Sequence, residues 1–245
     1  MKRILVTGAS RGIGKAAAEV LLKEGNFVYA TYNSNSEGTD SLKDISTNVQ
    51  VMQLDLSEYK NIDAVAESLK DVKLDGIVNS AGIFEEVDFE NFDVQAFEKN
   101  FKVNSFAPFY LAQKLRNNLN ENASIVNLSS TDAMLGSYVG LSYSASKAAV
   151  SNLTQSLALL LAPKKIRVNA IAPGWIGDGM QAPEELLKLA ADYNPLKRTG
   201  SYEDMANLIS FLLSDKAAYV NGTTINADGG DAAKSYILEK ESELV

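Results

Sequence analysis

A single α/β domain built on a doubly wound parallel sheet is the fold this sequence predicts, on three observations. Short runs rich in Val, Ile or Leu alternate along the chain with longer stretches of helical periodicity. The short runs show little polar alternation, as strands buried on both faces do. A glycine-rich turn, Thr7-Gly-Ala-Ser-Arg-Gly-Ile-Gly14, stands where the first short run gives way to the first helical one. Together these describe a Rossmann sheet of seven strands with helices on both faces and right-handed crossovers.

The expected strands are residues 3–7, 27–32, 49–54, 76–79, 124–129, 166–170 and 223–227, each rich in β-branched or leucine side chains. Helical patterns fall between them at 12–24, 62–70, 94–119, 143–161, 183–193 and 203–214, with a weaker one at 39–46. The stretch 94–119 contains Asn104 and Pro108. Pro108 has no N–H to give the Asn104 carbonyl, so that helical bond is lost and the carbonyl is left for a water. No proline- or glycine-rich linker divides the chain and no short-period repeat interrupts it, so residues 1–245 read as one domain. At 46% hydrophobic content that length can bury a sizeable core.

Composition removes several functions. Lys plus Arg number 23 against 31 Asp plus Glu, a net charge of −8 with no basic run, so nucleic acid is not an expected partner. Cysteine and histidine are both absent, which excludes disulfides, thiolate metal sites, zinc chemistry and any His-dependent triad; no metal is expected. The opening Met-Lys-Arg-Ile-Leu-Val-Thr-Gly enters a strand without the apolar segment of a signal peptide, and no apolar run approaches bilayer length. A cytoplasmic protein with no membrane contact is expected.

The chemistry concentrates between Ser130 and Lys147. Tyr143 and Lys147 are four apart, so on a helix they share a face and the ammonium can lie beside the phenol. A nearby positive charge would favour the ionised phenol and lower its pKa toward the range useful for proton transfer. Ser130 ends an apolar run, where a hydroxyl can hydrogen-bond a substrate carbonyl. Taken alone, the pair reads as a chance coincidence on a solvated helix face, and only its context overturns that. In the glycine turn, Gly8 permits the sharp bend, Gly12 lets the backbone approach a pyrophosphate, and Gly14 lets the helix pack on the strand with its N-terminus facing the anion. Asn79-Ser-Ala-Gly82 follows the fourth strand, with small residues that let the backbone pass close to a cofactor ribose or that simply form a structural turn, and Pro173-Gly174 follows the sixth.

These motifs, in this order and at these strand ends, resemble the short-chain dehydrogenase/reductase family from about Arg3 to Gly230, leaving 231–245 as a tail outside the resemblance. Overall the chain is most similar to β-ketoacyl-acyl-carrier-protein reductases. The resemblance implies a catalytic set of Asn104, Ser130, Tyr143 and Lys147. In it Tyr143 donates a proton, Lys147 tunes the phenol and binds ribose hydroxyls, Ser130 orients the carbonyl, and Asn104 holds a water that relays protons to the lysine. It implies cofactor contacts from Gly8, Ser10, Arg11, Gly12, Ile13 and Gly14, from Asp55 and Leu56 at the adenine, and from Asn79, Ala81 and Gly82. Tyr143, Lys147, Pro173, Gly174 and Ile176 complete that set. Asp55 would serve equally as a helix N-cap, and Asn104 as a solvated polar residue. The chain departs from the family pattern at Ser80, where Asn is usual, and at Asp178, where a Thr normally bonds the cofactor. Residues 175–194 would form a lid over the substrate, with a core helix as the alternative for Leu186 to Leu189.

The second strand is followed by Tyr32-Asn-Ser-Asn-Ser-Glu37, with no acid where an NAD site would place one for the ribose 2′-hydroxyl. Asn33 and Ser34 could hydrogen-bond a 2′-phosphate and Arg11 could pair with it, so NADP(H) is expected over NAD(H). The expected activity is reduction of a small-molecule ketone, with 3-oxoacyl thioesters as candidates and dehydrogenation of a sugar or small alcohol as the alternative. A non-catalytic cofactor-sensing protein is a further reading. The spacing 147 − 143 = 4 argues against the double-bond reduction of the divergent enoyl reductases, whose Tyr and Lys lie farther apart. The resemblance also implies a homotetramer. An acyl carrier protein is poorly supported as a partner, since 117–122 lacks Lys and Arg.

Overall fold

The structure, a computed structural model, describes residues 1–234. Seven strands pair in parallel in the order β3-β2-β1-β4-β5-β6-β7. They are β1 (Arg3–Thr7), β2 (Phe27–Tyr32), β3 (Val49–Gln53), β4 (Leu74–Asn79), β5 (Leu119–Leu128), β6 (Arg167–Pro173) and β7 (Thr224–Ala227). The order reverses between β1 and β4, the switch point at which such sheets open a crevice beyond their carboxyl ends. The register puts Thr7 opposite Asn79, and Asn79 opposite Asn127, at that crevice.

Alternation along each strand divides the core between the two faces of the sheet. Ile4 and Val6 pack with Ala17 and Leu21 of α1 (Gly12–Lys23) and with Ile209 and Leu212 of α8 (Tyr202–Leu213). Leu5 and Ile77 turn the other way. There they meet Ile62 of α3 (Tyr59–Ser68), Leu111 and Leu115 of α5 (Ala107–Leu115), and Leu157 of α6 (Leu141–Leu161). Each such side chain withdrawn from water contributes about 2 kcal/mol. The edge strands β3 and β7 are only half-buried, unlike the continuous burial expected of every strand, because each has a single neighbour.

Of the further departures from the expected boundaries, three have a clear physical reason. β5 starts at Leu119, five residues earlier than residue 124, because Leu119 pairs with Leu74 across a register shift before Gly76. The polar run Asn120-Glu-Asn122 conceals this part of the strand from a hydrophobicity reading. The pattern at 94–119 is not one helix. It comprises α4 (Val94–Phe101), a wide π turn over Lys102–Phe106, and α5, with Pro108 just inside α5 where its missing N–H disturbs the ladder. The weak pattern at 39–46 is a single turn, α2 (Glu37–Asp40), continued by a 3₁₀ turn over Ser41–Asp44. Among the described residues no helix is long and apolar enough to cross a membrane. The tail expected at 231–245 lies, beyond Lys234, outside the described residues.

Candidate active site

The sequence-predicted residues converge on the carboxyl edge of the sheet. Tyr143 and Lys147 lie one turn apart near the start of α6, with the Lys147 ammonium 5.6 Å from the Tyr143 ring centre. Lys147 is buried, and its Nζ donates to the Leu128 carbonyl at 2.7 Å, where β5 ends. Ser130 follows the same strand, with its hydroxyl close enough to act on the Tyr143 phenol. Ser130 Oγ also accepts from the Asp132 N–H at 3.1 Å, which anchors the hydroxyl at the start of a 3₁₀ turn, Thr131–Met134.

Asn104 sits in the π turn, buried, its amide fully engaged. Oδ1 accepts from Ile83 N at 2.9 Å, and Nδ2 donates to Ile83 O at 3.0 Å and to Ser146 Oγ at 3.1 Å. It is therefore not a solvated polar residue. A Cβ placed on Gly82 would stand 3.2 Å from Asn104 Oδ1 and 3.4 Å from Lys147 Nζ, so the two side chains face one small space that glycine keeps open.

Electrostatics correct one expectation. Tyr143 is pushed up to about 12, first by removal of its phenol from water, next by the negative charge of Asp132; the nearby Ser130 hydroxyl acts the other way. Lys147, turned onto the Leu128 carbonyl, does not bring the phenol below its ordinary value, and its own pKa is pushed down to about 8 by burial. Asp132 is itself raised, chiefly by burial.

The cofactor candidates line the rest of this edge. Arg11 is the extended N-cap of α1 and supplies no side-chain cap, so the N–H groups of the first turn stay open to an anion. A Cβ on Gly14 would fall 2.3 Å from the Gly8 carbonyl, which explains the glycine there. Thr7 Oγ1 accepts from Ser80 N and Ala81 N at 3.1 and 3.2 Å, joining the glycine turn to the Asn79–Gly82 segment. α2 lies directly on Ser10, and Ile13 packs beside the core. Asn33 and Ser34 are exposed at the end of β2, and the Glu37 carboxylate accepts from Asn35 at 3.4 Å. Asp55 accepts from Ser57 N at 2.8 Å, while the N-cap of α3 is Glu58; Asp55 holds a turn rather than capping the helix. Leu56 and Ile176 are buried, Pro173 ends β6, and Gly174 N donates to Ala227 O at 3.3 Å.

Residues 175–194 contain α7 (Glu184–Tyr193), none of whose side chains is buried, so the core-helix alternative for Leu186 to Leu189 does not hold. Sequence reasoning missed three contributors to the site. Asn100 is buried and grips Glu85 through N–H, carbonyl and Ser142 contacts, as Asn104 grips Ile83. Their spacing of four on one helical pattern was the available signal. Phe84, on the segment they hold, packs against Tyr143 with ring centres 5.2 Å apart. Asp132, whose charge acts on Tyr143, had no signal beyond its proximity to Ser130.

Residues 8–231 match a short-chain dehydrogenase/reductase family model described as enoyl-(acyl carrier protein) reductase. The chain belongs to the short-chain dehydrogenase/reductase family. It is 35% identical to the 3-oxoacyl-[acyl-carrier-protein] reductase of Aquifex aeolicus over 92% of this chain and 95% of that one. It is also 35% identical to a 3alpha-hydroxysteroid dehydrogenase of Mediterraneibacter gnavus, over 96% and 97%. Among solved structures it resembles angucycline C-6 ketoreductase LanV with bound NADP, at TM-score 0.86 and 27% identity, covering 95% of this chain and 96% of that one. This family member is thus an oxidoreductase, and its family uses NAD or NADP.

The residues present fit such a dinucleotide. The uncapped α1 N-terminus offers N–H donors for a diphosphate. At the end of β4 the buried Asn79 Oδ1 has no hydrogen-bond partner, although Asn79 Nδ2 donates to Asn127 at 2.8 Å. A buried acceptor left unpaired at the switch point is one that a ribose hydroxyl could satisfy.

Proposed function

We propose that this chain is an NADPH-dependent reductase that converts a ketone to a secondary alcohol. The observation that carries the reading is the meeting of Ser130, Tyr143, Lys147 and Asn104 at the carboxyl edge of the sheet, beside the open α1 N-terminus. A nicotinamide held there would supply the hydride. Tyr143, with its pKa near 12, holds its phenol proton at neutral pH and gives it to the carbonyl oxygen as charge develops there. Ser130, fixed by the Asp132 N–H, donates a hydrogen bond to the same oxygen and orients the carbonyl. Lys147, positively charged below about pH 8, stabilises the phenolate left behind and binds the ribose hydroxyls. Asn104 keeps the Ile83–Gly82 backbone against Lys147 and holds open the space for a relaying water.

The substrate class is a small-molecule ketone, and 3-oxoacyl thioesters are candidates through the likeness to the Aquifex protein. Phe84 beside Tyr143, and the exposed Leu135, Tyr138, Val139 and Trp175, favour an apolar body around the carbonyl, which also suits the hydroxysteroid dehydrogenase and angucycline ketoreductase that this chain resembles. NADPH is preferred because Arg11 enters no salt bridge among the described residues and the neutral donors Asn33 and Ser34 are exposed at the end of β2. A screen of acetoacetyl thioester, steroid ketones and small ketones, followed by NADPH absorbance, tests the reading. Turnover of at least one is expected; oxidation of alcohols or sugars without reduction of any ketone would overturn it.

A further inference from the structure

Asp178 stands where the family pattern has Thr, and nothing above gives its charge a role. The structure gives it a partner. Tyr202 Oη donates to Asp178 Oδ1 at 2.7 Å, and Asp178 N donates back to the same phenol oxygen at 3.2 Å. Oδ1 further accepts from Met180 N at 3.1 Å. Tyr202 is the first residue of α8, fixed by a capping box between Ser201 and Asp204.

The Tyr202 ring reaches from α8 to both walls of the cofactor site. A Cβ on Gly177 would fall 2.3 Å from the ring's Cζ, and at φ 57 the backbone there already favours glycine. A Cβ on Gly12, in the glycine turn, would stand 3.6 Å from the ring's Cε1 and meet nothing but Tyr202. Arg11 lies close enough for its charge to act on the phenol. The loop is tied to the same strut by backbone bonds, Gly177 N to Gly200 O and Gly200 N to Trp175 O, each 2.9 Å. Gly177, Asp178 and Tyr202 are thus three sequence choices that make one contact, beside the turn that faces the dinucleotide.

We propose that Tyr202 is a cofactor-positioning residue that acts by holding the Asp178 carboxylate, keeping this negative charge from competing with the cofactor diphosphate at the α1 N-terminus. The physical reason is direct. The uncapped first turn of α1 attracts any anion, and a mobile carboxylate on the neighbouring loop is an intramolecular one. It would also repel the diphosphate as a like charge. Bound by the phenol and by Met180 N, the carboxylate is spent on the loop's own shape. Where relatives bind the cofactor through a Thr, this chain holds its charge aside.

The proposal rests on the dinucleotide reading and is tested by equilibrium titration of NADPH and NADH onto the full chain, followed by nicotinamide fluorescence, with thermal unfolding of each variant as a fold control. Tyr202→Phe keeps the ring and loses the hydrogen bond, and should weaken both cofactors about tenfold, more at low salt than at high. Asp178→Asn alone should bind as tightly as the parent or more tightly. Asp178→Asn combined with Tyr202→Phe should return to within about twofold of the parent, a rescue that a merely structural Tyr202 would not show. A Phe variant that binds like the parent overturns the proposal, and so does a folded double variant as weak as the Phe single. If the parent binds neither cofactor, the reductase reading fails as well, an outcome distinguishable from an unaffected Phe variant.

Discussion

At the scale of single residues, the pair on α6 divides its labour by pKa. Tyr143, near 12, is a proton donor that stays loaded across the neutral range, whereas Lys147, near 8, loses its charge just above it. Ketone reduction should therefore fall as pH rises through about 8, and a pH profile of kcat should show that descending limb. Tyr143→Phe removes both the proton and the donor at the developing oxyanion. It should retain NADPH binding and lose about 10³-fold or more in turnover; near-parental rates would refute the assignment. Lys147 also sets function against stability. Its folded pKa lies below its ordinary 10.5, so the native state binds fewer protons between about pH 8 and 10.5 and gains stability as pH rises through that window. Below pH 8 the buried ammonium is a net cost of about 3 kcal/mol. Lys147→Met should accordingly unfold at a higher temperature than the parent at pH 7 while losing turnover. A variant less stable at pH 7, or a parent whose stability does not rise between pH 8 and 10, would contradict this.

At the scale of elements, two segments decide how the residues meet. One is the π turn between α4 and α5, which places Asn104 against Ile83 and Ser146 while Asn100, one turn earlier, holds Glu85. The Asn and the Pro that cause it were visible in the sequence, but not that the helix would widen rather than stop. That outcome depends on the 83–86 segment lying where two asparagine side chains can pin it. The same limit explains the rest of what was legible. The glycine turn, Tyr143 and Lys147 are local patterns, and the structure puts the turn between β1 and α1 and the pair one turn apart on α6. Asp132, Phe84 and Tyr202 act across 11, 59 and 24 positions of sequence, on Tyr143, Tyr143 and Asp178, and no local pattern reports such contacts. The polar half of β5 was hidden for a similar reason, since its pairing with Leu74 is a property of the sheet. The second deciding segment is the end of β2. Asn33 and Ser34 are exposed there, and Arg11 is exposed in the glycine turn. Arg11→Ala should weaken NADPH and leave NADH little changed, and Asn33→Asp should shift preference toward NADH by placing a carboxylate beside the 2′-phosphate. A parent with higher kcat/KM for NADH than for NADPH at matched salt would show this loop to be misread.

At the scale of the whole molecule, the fold leaves an apolar surface that no other described element covers. Leu159 and Leu160, near the end of α6, are 78% and 68% exposed, and Phe106, at the end of the π turn, is 53% exposed. α6 and the α4–α5 segment lie on the same side of the sheet, where α6 packs on the π turn and on α4. Large aliphatic and aromatic side chains gathered on one side are what a second copy would bury, each removed from water at about 25 cal/mol per Å². The two-fold symmetry of most homo-oligomers lets one such patch serve both partners. A tetramer is the state we expect, with these helices pairing across one two-fold axis. Light scattering at micromolar concentration should report a mass near four chains for the parent. Leu160→Glu combined with Phe106→Glu should reduce it to a smaller species, because burying two carboxylates in an apolar contact costs more than the contact returns. Both positions are exposed in the single chain, so each variant should keep its native circular dichroism and NADPH binding. A monomeric parent at that concentration, or a tetramer indifferent to both charges, would place the assembly on another surface or abolish it.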